Sequence, residues 1–235
     1  MSEAIQTIAD NLARVRERIA IAAESAGRSP DEVMLVAVSK YVDVEQTATL
    51  LEAGCTVLGE SRPQQLWDKT AAPQLLKAEW HLIGHLQRNK VRKTLPLVTL
   101  IHSVDSMRLL EAINEYAVEI GTTAQVLLEV NCSGDAAKHG LTADGLKRLL
   151  PELSRLENVQ VQGLMTMAAL EGNAATASSN FSDLRKLRDQ VRSECPPNVA
   201  LNELSMGMSH DFEIAIHEGA TLVRIGSLLF EGLPQ

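Results

Sequence analysis

The stretch "VMLVAVSK" at 33–40 carries an amine at the end of an almost continuously apolar run. Such a run reads as a strand of a parallel sheet covered on both faces. By the period-two rule Lys40 falls on the same side as Val36 and Val38. Two readings follow. The side chain snorkels to water, or it is held where desolvation favours its neutral, nucleophilic form, the form that makes Schiff bases. Near the other end of the chain, "LSMGMSHDFE" (204–213) and "VRIGSLLF" (223–230) offer hydroxyls and unobstructed backbone N–H groups at Ser205, Ser209, Gly226 and Ser227. Ser209 is a natural helix N-cap, with Asp211 and Glu213 in the first turn. These features suit an anion such as phosphate, or simply a capped helix after a tight turn. Arg224 lies inside the apolar "TLVRIG". A buried guanidinium needs an acceptor, either Glu129 or Glu203 from a neighbouring strand or a ligand heteroatom.

The elements that must position these groups follow from periodicity. Ile5, Ile8, Leu12, Val15, Ile19 and Ala22 define an amphipathic N-terminal helix within 1–26, stopped at "GRSPDE" by Gly27 and Pro30. Strand-like runs then appear at 33–39, 55–59, 80–84, 97–102, 124–131, 159–165, 199–205 and 221–226. Helical patterns fill the gaps, at 43–53, 63–77, 87–94, 105–120, 142–156, 174–194 and 209–218. Repeated β-then-α units imply a parallel sheet with right-handed crossovers. Eight units in about 200 residues predict a closed (β/α)₈ barrel of the TIM type. An open doubly wound sheet is the alternative, but no GxGxxG follows a strand. The polar stretch 171–180 reads as a long loop entering a helix, and residues 1–235 as one domain, because a boundary there would leave too small a core.

Composition bounds the partners. A net charge of −8 and 3% aromatic residues argue against nucleic-acid and anionic-membrane binding. The basic cluster "QRNKVRK" (87–93) reads as a solvated helix face. Cys55, Cys132 and Cys195 are dispersed, which suits a reducing cytoplasm, and no Cys or His spacing suggests a metal site. No apolar run is long enough to span a bilayer.

In a barrel, chemistry sits on the loops after the strands, and phosphate commonly binds after strands 7 and 8. Lys40 and the Ser209–Gly226 region then share one mouth. A lysine and a phosphate cradle at one mouth suggest a phosphorylated carbonyl compound held as a Schiff base.

The motifs "VAVSK", "LGES", "WHLIGHLQRNK", "GLMTMA", "LSMGMSHD" and "ATLVRIGS" resemble, in order and over almost the whole chain, the YggS/PROSC family of pyridoxal phosphate homeostasis proteins. That family is similar to the barrel domain of alanine racemase without its second, β-rich domain. The resemblance implies an internal aldimine between Lys40 and pyridoxal 5′-phosphate. It implies phosphate contacts from Ser205, Ser209, Gly226 and Ser227, Arg224 facing the pyridine nitrogen, and Met165 and His81 near the cofactor. Three positions depart from the family pattern. Ser61 stands where Asn is usual, His85 where Pro is frequent, and Ser227 where Thr is usual. His85 adds a titratable group at the mouth, or is a surface histidine.

An arginine at the ring nitrogen cannot give up a proton at physiological pH, so it weakens carbanion stabilisation. A two-base racemase also needs a tyrosine, and this chain has only Tyr41 and Tyr116. Tyr116 is predicted in a helix, and Tyr41 points away from Lys40 by strand alternation. The expectation is a non-catalytic protein that carries and buffers pyridoxal phosphate in vitamin B6 and amino-acid homeostasis, with apo forms of pyridoxal-phosphate enzymes as recipients. The alternatives are a weak amino-acid racemase and a cofactor-free Schiff-base aldolase.

Overall fold

The computed structural model describes residues 3–135, 139–169 and 172–233. Met1, Ser2, Pro234 and Gln235 of the expected single domain, and Glu171 of the expected loop at 171–180, lie outside them.

Eight strands alternate with helices: β1 (Met34–Val38), β2 (Val57–Glu60), β3 (Glu79–Leu82), β4 (Leu100–Val104), β5 (Ala124–Glu129), β6 (Val159–Met165), β7 (Val199–Ser205) and β8 (Leu222–Ile225). They pair in parallel in sequence order, and β8 closes on β1 with Val36 opposite Arg224. The expected barrel is the observed one. Outside it lie α2 (Val44–Glu52), α3 (Pro63–Thr70), α4 (Val91–Thr94), α5 (Met107–Glu119), α6 (Ala143–Leu149), α7 (Ala174–Val191) and α8 (Phe212–His217).

A helix α1 (Glu3–Ser25) precedes the barrel. Among the described residues only a short 3₁₀ turn, Ser227–Phe230, follows β8, and α1 packs over it and against α8 and α2. It fills the place an eighth outer helix would take. Ile8, Leu12, Val15 and Ile19 are buried on its inner face, each contributing about 1.5–3 kcal/mol by apolar burial. Asn11 adds a polar fastening, its Nδ2 donating to the carbonyl oxygens of Leu229 (3.1 Å) and Glu231 (2.8 Å).

Several elements differ from the sequence reading: α3 ends at Thr70 rather than 77, α6 passes into a 3₁₀ turn at Leu150, and α7 begins at Ala174, within the stretch read as a loop. Strand β4 spans 100–104 rather than 97–102, because Leu95–Leu97, with Pro96, form a 3₁₀ turn. The segment 87–94 is a 3₁₀ turn followed by the four-residue α4. Two of its four cations contact neighbouring elements: Arg92 binds Glu119 and lies 4.9 Å from the Tyr116 ring centre, and Lys93 lies 4.1 Å from that of Trp67. Helix α8 starts at Phe212, with Asp211 rather than Ser209 at its N-cap position.

The main apolar core fills the space between sheet and helices. A smaller cluster of Val36, Leu100, Leu127, Met165 and Leu222 is separate from it. The strand alternation that sends half of each strand to the helices sends these inward.

Candidate functional site at the barrel mouth

Lys40 stands two residues past the end of β1 and is exposed. The ammonium reaches water at the mouth. Tyr41 follows in the left-handed conformation, φ 73°. That break ends the strand alternation, so the expectation that Tyr41 points away from Lys40 does not hold: Lys40 Nζ lies 5.3 Å from the Tyr41 ring centre. Arg62 approaches the same ring at 5.4 Å. Tyr116, on α5 and beneath Arg92, belongs to the outer layer.

The backbone that presents Lys40 is tied down from below. Ser39, fully buried, donates its N–H to Gly59 O at 2.9 Å. Its carbonyl oxygen accepts from Lys69 Nζ at 2.6 Å, and its hydroxyl lies 3.2 Å from the same ammonium. Lys69 also donates to Glu60 Oε2 at 2.7 Å. The other Glu60 oxygen accepts from the backbone N–H groups of Ser61 (2.7 Å) and Arg62 (3.1 Å). Both charged side chains are buried, and each has enough partners to offset its desolvation. Ser61 closes this network with its backbone N–H. No local signal announced Lys69, because its position in an amphipathic helix looks like that of any surface lysine.

Across the mouth, the loops after β7 and β8 are joined by one hydrogen bond, from Gly226 N–H to Ser209 Oγ at 3.3 Å. Ser209 therefore bridges loops instead of capping α8. Asp211 folds back to accept from Met208 N–H at 2.6 Å. Gly207 makes the turn possible at φ 91°, where a Cβ would fall 2.6 Å from that of Ala215. Gly226 is packed on β1, since a Cβ there would lie 3.3 Å from Val38 Cβ. The loop after β8 thus abuts the strand that leads to Lys40, and Ser209 ties the loop after β7 to it. Ser227 is exposed at the start of the final 3₁₀ turn.

Arg224 is buried and takes neither expected carboxylate. Its guanidinium donates to Ser205 Oγ at 2.5 Å and to Thr166 O at 3.0 Å. Glu203 instead accepts from Thr221 Oγ1 at 2.5 Å. Among the described residues, no carboxylate lies within ion-pair distance of Arg224. Burial lowers its pKa to about 10, with Asp211 and Glu129 opposing the shift. It remains cationic near neutrality. The Ser205 hydroxyl is thus engaged with Arg224 rather than turned to the loops after β7 and β8, and it also lies 2.9 Å from His102 Nδ1. His102 Nε2 meets His81 Nδ1 at 3.0 Å. His81 Nε2 is 3.6 Å from Glu79, at the start of β3. The contact between β4 and β7, strands that are not neighbours, can only cross the barrel interior. Burial drives the pKa of His102 well below the ordinary imidazole value, with the charges of His81 and Arg224 adding to it. Met165 is buried in the small apolar cluster of the interior.

The sequence matches the profile of the alanine racemase N-terminal domain over residues 10–234. It is 44% identical over 221 residues to the pyridoxal phosphate homeostasis protein of Aquifex aeolicus, covering 94% of this chain and 96% of that one. The corresponding protein of Deinococcus radiodurans is 40% identical over 220 residues, with coverages of 93% and 97%. The chain belongs to the pyridoxal phosphate homeostasis proteins, in the alanine racemase N-terminal domain family.

Solved structures agree. PipY of Synechococcus elongatus, determined with pyridoxal phosphate bound, superposes with a TM-score of 0.84 at 36% identity, over 95% of this chain and 99% of that one. An uncharacterised protein of Bifidobacterium adolescentis gives 0.91 at 37% identity, over 97% of both chains. Alanine racemase of Clostridium difficile shares the barrel fold at 17% identity and a TM-score of 0.66, over 87% of this chain and 53% of its own. Among pyridoxal phosphate homeostasis proteins, then, this chain has a complete barrel whose mouth gathers Lys40, Ser209 and Gly226. Arg224, Ser205, His102 and His81 form a continuous polar chain inside it. Among the described residues, no helix is long and apolar enough to cross a membrane.

Proposed function

We propose that this protein binds pyridoxal 5′-phosphate and carries and buffers it, contributing to intracellular vitamin B6 and amino-acid homeostasis without robust catalysis. Lys40 Nζ is the covalent anchor in this reading. Ser209, Gly226 and Ser227 hold the phosphate, and Arg224 faces the ring nitrogen. Met165 and His81 are placed near the cofactor. Ser205, whose hydroxyl accepts from Arg224, is reassigned from the phosphate to the positioning of that guanidinium.

The fit rests on the chain's own chemistry. An exposed amine, a loop pair joined through a serine hydroxyl, and a buried guanidinium held by neutral acceptors match an aldehyde, a phosphate and a pyridine nitrogen. The observation that carries the reading is Arg224, which has no carboxylate partner among the described residues. Pyridoxal phosphate, when bound, supplies an electron sink. Arg224 keeps its protons near neutrality, so beside the ring nitrogen it would serve as a hydrogen-bond donor and not as an acid, which would limit use of the sink. The recipients in this reading are apo forms of pyridoxal-phosphate enzymes.

The direct test loads the protein, removes free cofactor, and mixes it with an apo-enzyme that needs pyridoxal phosphate. Recovery of the apo-enzyme's activity, faster than from protein lacking the Lys40 amine, is the expected result. No recovery over hours would remove the carrier role. A second reading, weak amino-acid racemisation, is favoured by Tyr41 beside Lys40. A cofactor-free Schiff-base aldolase is distinguished by the absence of a visible imine band from the purified protein once free pyridoxal phosphate has been removed.

A further inference from the structure

The barrel brings together three side chains that no sequence spacing links. His85 follows β3, Asp105 follows β4, and His139 lies between β5 and α6. Asp105 Oδ2 is 3.9 Å from His85 Nδ1 and 3.7 Å from His139 Nδ1. The two imidazole rings stack, with centres 4.6 Å apart and planes 18° apart. One ligand atom from each residue lies within 4.8 Å of the other two. An open cleft of about 720 Å³, lined by His85, Gln87, Asn89 and Asp105 among others, gives access from solvent.

These separations are too long for hydrogen bonds. Among the described residues neither imidazole has a hydrogen-bond partner, and both lie within ion-pair reach of the single Asp105 carboxylate. We propose that His85, Asp105 and His139 form a binding site for a divalent transition-metal ion of the zinc class. Two imidazole nitrogens and one carboxylate oxygen are a donor set that zinc, nickel and cobalt accept readily. Magnesium and calcium require mostly oxygen donors. Bonds of about 2.0–2.2 Å to a tetrahedral ion demand that Asp105 close on each histidine by a few tenths of an ångström, and that the two imidazole nitrogens, within 4.8 Å of each other, close in as well. The rings must also splay from their stack so that their lone pairs converge. Side chains as exposed as those of His85 and His139, at 44% and 63%, have room to rotate. One position stays open for water or a small anion, beside Arg88 and Arg108 in the same cleft. The ion would tie the segments after β3, β4 and β5 across the mouth. The proposal is independent of the cofactor reading, and it departs from the expectation, drawn from spacing alone, that no Cys or His pattern suggests a metal site.

The test is a zinc titration of the full chain without a histidine tag, in competition with a chromophoric chelator, with magnesium chloride in parallel. We expect one zinc ion per chain and no magnesium. His85→Ala, His139→Ala and Asp105→Asn should each lower zinc affinity on the order of 100-fold, with unchanged far-ultraviolet circular dichroism. Zinc uptake that is absent in the wild type, or equal in all three variants, would overturn the site. The second result would mean that the cysteines or other surface groups hold the ion.

Discussion

Lys69 Nζ lies 2.6 Å from the carbonyl oxygen of Ser39, so a buried lysine of α3 holds the residue immediately before the exposed Lys40. The same ammonium neutralises Glu60 at 2.7 Å. Removing one partner of such a pair leaves an uncompensated buried charge, which costs about 3–5 kcal/mol. Lys69→Met should show that loss in urea unfolding. Lys69→Met with Glu60→Gln should recover most of it, because the amide oxygen still accepts from Ser61 and Arg62. A single variant as stable as wild type would mean that the pair contributes nothing to the mouth.

Lys40→Ala should abolish borohydride-fixed label while leaving weak, reversible cofactor binding through Ser209, Gly226 and Ser227. Peptide mapping of the reduced wild-type protein checks the assignment. Label recovered on Lys90 or on Lys138, which lies outside the described residues, in place of Lys40 would end it.

Arg224→Gln removes a charged donor and leaves Ser205 and Thr166 with a poorer partner. The expected loss in cofactor retention is about 1.5–3 kcal/mol, roughly 10- to 150-fold in Kd, with a shifted visible band and a preserved fold. Equilibrium dialysis and absorption spectra read both. Unfolding with no spectral change would return Arg224 to a purely structural role.

Activity separates the carrier from the racemase. Exchange of the α-hydrogen of alanine or serine with heavy water, followed with chiral product analysis, should be negligible, and Tyr41→Phe should not change it. Sustained exchange with inversion at about 1 s⁻¹ or more, lost in Tyr41→Phe, would make Tyr41 a base and the protein a racemase.

The interior histidines set an acid limit. Burial depresses the pKa of folded His102, and burial likewise lowers that of His81 while Glu79 opposes it. An unfolded imidazole binds a proton near pH 6.5, so below that pH the unfolded state holds more protons than the folded one. Stability from these groups is therefore complete above about pH 6.5. It falls as pH drops toward their folded pKa values, at up to about 1.4 kcal/mol per unit for each histidine. Urea unfolding at pH 7.5 and pH 5 should show a smaller difference for His102→Asn than for wild type. An equal difference would refute neutral burial of His102.

What the sequence by itself determined is the order of elements, because strand and helix periodicities are local. Strands β6 and β7 match the reading to the residue, and α1 shows its apolar stripe at Ile8, Leu12, Val15 and Ile19. Eight β/α repeats left a closed barrel as the compact solution, and closure put Lys40 and the β7 and β8 loops at one end. Boundaries slipped where turn chemistry overrode pattern, as at Pro96 and Asp211. The tertiary structure alone decided which side chains meet across the barrel. The Tyr41 ring came to Lys40 because one left-handed residue breaks strand alternation. Ser205 went to Arg224 and His102, Lys69 to Ser39, and Asp105 to two histidines from other loops. Those pairings depend on strand tilt, register and loop path, which are set by the closed sheet as a whole and leave no periodic trace in any one segment.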